Sequence, residues 1–538
     1  MHCDIQLVSV FLTVAQGAQE TLQKVYSKLN AHSNVIVAAT YSDQANGHLE
    51  KNLLFDALRE VIEQQPSLGI VMHDEPSKVK QGDHRTWEAR LKHISLPDCV
   101  SFLEDYDISS NGLQELLEKS HNEWFDVQDK TKPLWRLLVV NNAHVLFVFH
   151  HFIADGSSGV NFHQTLLSAL NHVSNDGRNN STAPKISSSP AVQISNTPLP
   201  PRGLDLLSEQ FSYYMILASI ANMILIHILR LIIPRRYWLF PEVKFDHLLP
   251  STRKPPSKSQ RPVTKVQRLY LSPKTLASCL QVCRDHGVSF TALLYTLISV
   301  TLAVDIYPEA RISNSNTQIS LRRFVLGKQR DMADQCMTNI SSGFFYRPWL
   351  GAYRAADIPI QAPSSPPDQP LSSATANASL KSDHQATTIS PTAFWDLARK
   401  YKSALDVRLA MPRPRTSPAV QDVLSLSRLM PADEEPFADA IFATMRTVLP
   451  NCFSLSNLGA VTPNPAPGSK AGGWTISDME FSVSAYGTGV GPVLYFAIIS
   501  VNGGACVVNI DYRQGILEDD VVERVIHGVE RRLLSMLD

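Results

Sequence analysis

The segment "FVFHHFIADGSSG", residues 147–159, ends an apolar run in two adjacent histidines, with an aspartate four residues after the second and a glycine directly behind it. The run reads as a buried strand from its length and its β-branched and aromatic content. Successive strand side chains point to opposite faces, so His150 and His151 meet different surroundings. One packs into the body of the domain, and the other is free to face a cavity. Downstream, "GVNFHQTLLSALNHV" has helical spacing, so the motif lies where a strand runs out before a helix. Rigid strand ends of this kind position exposed groups.

Several chemistries compete for this pair. The plainest is structural: two core histidines, each with one hydrogen bond. A metal site needs a third ligand, and the nearest, His163, lies about two helical turns beyond Asp155, too far for one coordination sphere. No metal is expected. A serine nucleophile is also a poor fit, because "GSSG" lacks the G-x-S-x-G elbow that would expose Ser157 or Ser158. "YGTGVGP" is a poor phosphate cradle, since Pro492 follows and no helix opens there. A general base fits best. An imidazole titrates near about 6.5, so it is largely neutral at neutral pH. It can take the proton of a hydroxyl or amine attacking an activated carbonyl.

Working outward, "VIVAAT" (35–40), "LWRLLVV" (134–140) and "HVLFVFHHF" read as strands, and "KNLLFDALREVIEQ" as a helix stopped by Pro66. "LVSVFLTVAQGAQ" near the N-terminus has no Lys or Arg before it, and "QETLQKVYSKLN" continues it. It reads as a first helix, not a cleaved signal. In the second half, a strand leads to Ser272, which caps a helix with Pro273 in its first turn. Another helix begins near Ser289. "RISNSNTQISLRRF", "CFSLSNLGA", "VLYFAIISV" and "ACVVNIDY" are strands, and "FWDLARKYKSALDVRLA" and "EDDVVERVIHGVERRLLSML" are helices. Strands and helices alternate in both halves, which points to two similar α/β lobes.

The 538 residues are too many for one ordinary core. The expected organisation is an N-terminal lobe over 1–202, a crossover over 203–262 and a C-terminal lobe over 263–538. The Ser/Asn/Pro-rich stretch 174–202 reads as a linker, and the Pro/Ser/Thr-rich insert 352–391 as disordered. Residues 213–233, "YYMILASIANMILIHILRLII", are the most apolar stretch and long enough to span a bilayer. A true span would put the two halves on opposite sides of a membrane. That leaves a buried helix or one lying in the lipid interface as a peripheral contact. Charged residues make up 18% and the net charge is −1, which gives no footprint for nucleic acid. Seven scattered cysteines without a CxxC pair favour a reducing, cytoplasmic setting and no structural zinc.

H-H-x-x-x-D-G, as "HHFIADG" at 150–156, resembles the signature of the chloramphenicol acetyltransferase-like superfamily. That superfamily includes plant acyl-CoA-dependent acyltransferases and peptide-synthetase condensation domains. "NVIVAATY", "ALREVIEQQPSLGIVM", "PLWRLLVV", "TPLPP", "HGVSFTALLYTLISVTLA", "QISLRRF" and "FSLSNLGA" are similar, in order, to blocks of the yeast and fungal alcohol O-acetyltransferases. The likeness covers most of the chain apart from 352–391.

The resemblance implies two lobes, each a mixed sheet with helices, around a central tunnel that donor and acceptor enter from opposite faces. It makes His151 the general base and His150 its structural neighbour. Asp155 then points away from substrate and pairs with an arginine of the other lobe, Arg322 or its rival Arg323. Gly156 keeps space for the acceptor. Ser456 and Asn457 stabilise an oxyanion, hold the donor, or simply end a polar strand. The plant-type D-F-G-W-G is absent, and "SAYGTGVGP" occupies that region.

The expected activity is O-acyl transfer from acetyl-CoA, a co-substrate and not a cofactor, to a hydrophobic alcohol or specialised metabolite. N-acyl or carrier-dependent condensation, and a catalytically silent metabolite- or lipid-binding protein, are the alternatives.

Overall fold

The computed structural model describes residues 10–15, 18–43, 48–76, 84–179, 190–194, 199, 201–207, 213–243, 257–359, 387–389, 391–410, 417–431, 433–447, 451–463, 473–487 and 491–537. Its main strands are β1 (Asn34–Asp43), β2 (Val100–Leu103), β3 (Trp135–Val140), β4 (His144–His150), β5 (Thr264–Leu271), β6 (Ser315–Ser320), β7 (Ser341–Tyr346), β8 (Phe453–Val461), β9 (Trp474–Val483), β10 (Leu494–Val501) and β11 (Cys506–Arg513). They form two mixed sheets, ordered β9-β1-β4-β3-β2 and β5-β11-β10-β8-β6-β7. The helices that matter for the site are α1 (Ala18–Lys28), α2 (Lys51–Gln64), α3 (Gly156–Asn179), α4 (Tyr213–Ile232), α5 (Phe290–Thr301), α6 (Pro418–Leu429) and α7 (Glu434–Thr447). Each sheet has its own large apolar core. The chain is α/β and two-lobed.

β4 is apolar from Val145 to Phe149 because both its faces are covered. Val145, Phe147 and Phe149 pack into the larger core beneath α2 and α3. Leu146 and Val148 join Leu116 and Leu117 on the opposite face. Phe147 stacks on Phe162 of α3 with centroids 3.9 Å apart, which fixes the helix against the strand.

One strand crosses the halves. β9, from the C-terminal part, pairs antiparallel with β1 from Trp474↔Asp43 to Val483↔Val35. A boundary at 263 therefore does not divide the sheets. A buried polar chain joins them as well: His121 Nε2 lies 2.7 Å from Ser482 Oγ, which donates to Asp511 Oδ1 at 2.6 Å. Burial pushes the Asp511 carboxyl up to about 8.

Several local expectations change. Residues 10–15, expected in a first helix, form a strand antiparallel to His84–Leu91. Their content, VFLTV, suits a sheet, and the helix begins only at Ala18. α3 runs to Asn179, into the expected linker 174–202, and Ala191–Gln193 pairs with His93–Ser95. Within the expected insert 352–391, Asp357–Pro359 pairs with Thr387–Ile389. The bulk of that insert, 360–386, lies outside the described residues. β9, α6 and α7 were not expected at all. The six described cysteines are free thiols.

Candidate active site

His150 ends β4 on the face of Leu146 and Val148 and is wholly buried. Its Nδ1 accepts the Phe152 N–H at 3.0 Å, and the Ile153 N–H returns to the His150 carbonyl at 3.1 Å. These bonds form the turn that presents the next residue. Phe125 and Phe152 flank the ring edge-on. Burial pushes His150 down to about 3, so it is neutral, and its Nε2 has no partner among the described residues.

His151 points the other way. Its N–H donates to the Ser33 carbonyl at 3.0 Å, and its ring lines a cavity of about 330 Å³ between the lobes. Burial holds the imidazole below its ordinary value of about 6.5. Hydrogen bonds to its own carbonyl and that of Ala154, and the Asp155 charge, pull the other way. Asn339, from the second half, donates to the His151 carbonyl at 2.9 Å and lies 3.4 Å from Nδ1.

Asp155 caps α3. Its Oδ1 accepts from the Ser158 N–H and from Ser158 Oγ, both at 2.9 Å. Its Oδ2 accepts from Arg322 Nη1 at 2.7 Å and from the Ile340 N–H at 3.1 Å. Arg322 completes the junction through the Ala333 and Thr338 carbonyls and Ser158 Oγ. Burial alone would raise the Asp155 pKa. Arg322's charge and hydrogen bond, with the Ser158 and Ile340 amides, instead hold it below the ordinary carboxylate range. The pair is almost fully buried. Of the two arginines of "SLRRF", Arg322 meets Asp155, and Arg323 lies over the Phe324 ring and lines a neighbouring cavity.

Gly156 stands where α3 begins. A Cβ there would meet Leu458 Cδ2 at 3.0 Å and the Phe481 ring at 3.1 Å, so the glycine allows close approach of β8 and β9. Ser456 and Asn457, on β8, also line the His151 cavity. The Asn457 amide is already engaged: Nδ2 donates to Thr291 Oγ1 at 3.1 Å and Oδ1 accepts the Gly459 N–H at 2.8 Å. Asn457, Gln318, Ile319 and Ser320 also line the second cavity, of about 630 Å³, so the two spaces adjoin through β6 and β8.

His163 takes no part. Its nitrogens meet Tyr41 Oη and the Val37 carbonyl, both at 2.9 Å, beneath β1. Sequence reasoning missed His32 and Asn339. His32 is buried, stacks on Tyr486 at 4.4 Å and meets the His151 ring edge-on at 5.5 Å. Neither of its nitrogens has a partner among the described residues, and burial keeps it neutral. Two residues before β1, in "AHSNV", it carried no motif that could have flagged it.

A two-lobed fold with an imidazole at the inter-lobe cavity defines the class: the acyltransferase fold of condensation and acetyltransferase domains. The solved structure of TRI3, a trichothecene 15-O-acetyltransferase from Fusarium sporotrichioides, superposes over 98% of this chain and 95% of its own, with a TM-score of 0.62 at 12% identity. The model of the alcohol acetyltransferase family matches residues 16–332, and the chain belongs to that family. An uncharacterized protein of Schizosaccharomyces pombe is 25% identical over 306 residues, 55% of this chain, which spans 58% of that relative's length. Probable alcohol acetyltransferase crmB of Aspergillus fumigatus is 21% identical over 84% of both chains.

Proposed function

We propose that the protein transfers an acetyl group from acetyl-CoA to the hydroxyl of a hydrophobic alcohol, directly and without a covalent enzyme intermediate. The neutral imidazole of His151, which faces the cavity, is the base. It takes the hydroxyl proton as the oxygen attacks the thioester carbon. The tetrahedral intermediate then breaks its C–S bond, and the imidazolium returns the proton to the leaving thiolate. Asp155 stays ionised on Arg322 and positions the loop, touching no reacting atom.

The observation that carries this reading is the His151 ring at a cavity walled by both lobes, with a second cavity adjoining it. A neutral imidazole there is poised to accept a proton. The family membership and the likeness to crmB support acetyl as the group transferred. The test is CoA release by the purified protein, given acetyl-CoA with a graded series of alcohols and a matched series of amines. Ester formation with alcohols and none with amines is expected. Transfer confined to amines would replace the reading with N-acylation, and acceptor binding without CoA release would replace it with a binding protein.

A further inference from the structure

We propose that α4 lies in the interface of an anionic lipid bilayer and turns the mouth of the His151 cavity toward it. The second half of this statement rests on the acyl-transfer reading; the first half does not.

Among the described residues, nineteen large apolar side chains are exposed, and nine of them lie on α4. Leu217 is 66% exposed and Leu231 73%. A patch on this scale is unusual on a surface that faces only water. The helix packs on the body through one side, with Ile216 and Ile226 buried and Met223, His227, Leu229 and Arg230 partly covered. Around the rest of its circumference, Leu217, Ile220, Ile224, Leu225, Ile228 and Leu231 leave Asn222 as the one strongly polar exposed side chain described there. Among the described residues no single helix is long and apolar enough to cross a membrane. The packed side instead places α4 lengthwise on the surface, the geometry of an in-plane helix.

The ends of α4 identify the occupant. Tyr213 and Tyr214 open it, both exposed. At its other end Arg235, Arg236 and Arg311 are exposed. Arg236 and Arg311 both lie over the Tyr237 ring, 4.8 Å and 4.3 Å from its centroid. Trp349, 62% exposed, stands beside them through the bridge between its backbone and Ile312, which packs against Ile226. Aromatic side chains beside cations at the border of an apolar face match an anionic headgroup layer. Segment 360–386, Ser/Pro/Ala-rich with three large apolar residues, has little with which to cover such a face.

The surface also lies close to the site. α4 packs on α6 and α7, α6 packs on β7, and α7 packs on α1. α1 and β7 themselves wall the His151 cavity through Gln19, Tyr26, Ser341 and Phe345. Phe345 is also exposed, which marks an opening, and Trp349 follows four residues later. An acceptor dissolved in the acyl layer would reach that opening without crossing bulk water.

The test is flotation of the full chain with phosphatidylcholine vesicles, with and without phosphatidylserine. Binding to the mixed vesicles is expected, weakened about fivefold for each engaged arginine lost and reduced by salt. Ile224→Glu with Ile228→Glu, both exposed, should weaken binding at least about tenfold, with an unchanged thermal midpoint. It should also leave CoA release from a short soluble alcohol intact. Arg235→Glu with Arg236→Glu should affect only the anionic vesicles. Absence of flotation, or equal flotation of the Ile224/Ile228 variant, overturns the proposal. So does a wild-type dimer that becomes monomeric in that variant, because a second copy would then cover the face. Flotation with no CoA release from any acceptor would remove the acyl-transfer reading and leave the position of α4 standing.

Discussion

His150 and His151 share a peptide bond and little else. The first is sealed under Phe125, held neutral near 3, and spends its Nδ1 on the turn that follows. The second opens onto a cavity walled by both lobes. Strand alternation makes this separation, because one residue of register moves a side chain from one face of β4 to the other. The same residue type thus builds the turn at one position and faces the inter-lobe cavity at the next. On the acyl-transfer proposal, the two-histidine motif is one architectural residue and one chemical residue.

The sharpest way to break that comparison is to remove each ring in turn. His151→Ala should lower kcat/KM by about 10²–10⁴-fold while the thermal midpoint stays near that of the parent. Near-normal turnover would show that another group takes the proton. Next come Asp155→Asn and Arg322→Ala, each of which strands a buried partner and should destabilise the fold by about 3–5 kcal/mol. Because the two share one interaction, the double variant should lose much less than the sum, and denaturant melts yielding simple additivity would exclude the coupling.

His150→Phe leaves the Phe152 N–H without its acceptor, for an expected loss of about 1–3 kcal/mol in stability. The smallest effect is on pH. Burial sets His151 below 6.5, so its neutral, proton-accepting form dominates at pH 7 and is lost as pH falls through that lowered value. The kcat/KM profile should therefore be flat near neutrality and fall on an acid limb lying below 6.5. His150→Asn should leave the limb in place, whereas a limb that moves with His150 would reverse the assignment of the two rings.

Both lobes and the general-base candidate were legible because they rest on local signals. An uninterrupted apolar run marked β4, its parity separated the histidines, and Ser272 and Ser289 each cap their helices as their spacing suggests. What was not legible depends on distant partners. "WTISDMEFSV" has polar and acidic interruptions that weaken it as a strand, and it becomes one because β1 offers a free edge. Glu480 within it is tolerated because Arg268 of β5 pairs with it. His32 and Asn339 reach His151 from positions 119 residues before and 188 after it, so no window of sequence contains them together. Arg322 over Arg323 was a choice between neighbours that only the Ser158 and Thr338 acceptors could decide.

The partnership of β9 with β1 has a consequence for biosynthesis. Residues 34–43 leave the ribosome more than four hundred positions before 474–483 are translated. Throughout that interval the border of the first sheet is unsealed, a hazard for mispairing between nascent chains. Truncation anywhere upstream of 474 should consequently spoil the early lobe as well as the late one, and yield in the cell should depend on chaperones that shield an unfinished edge.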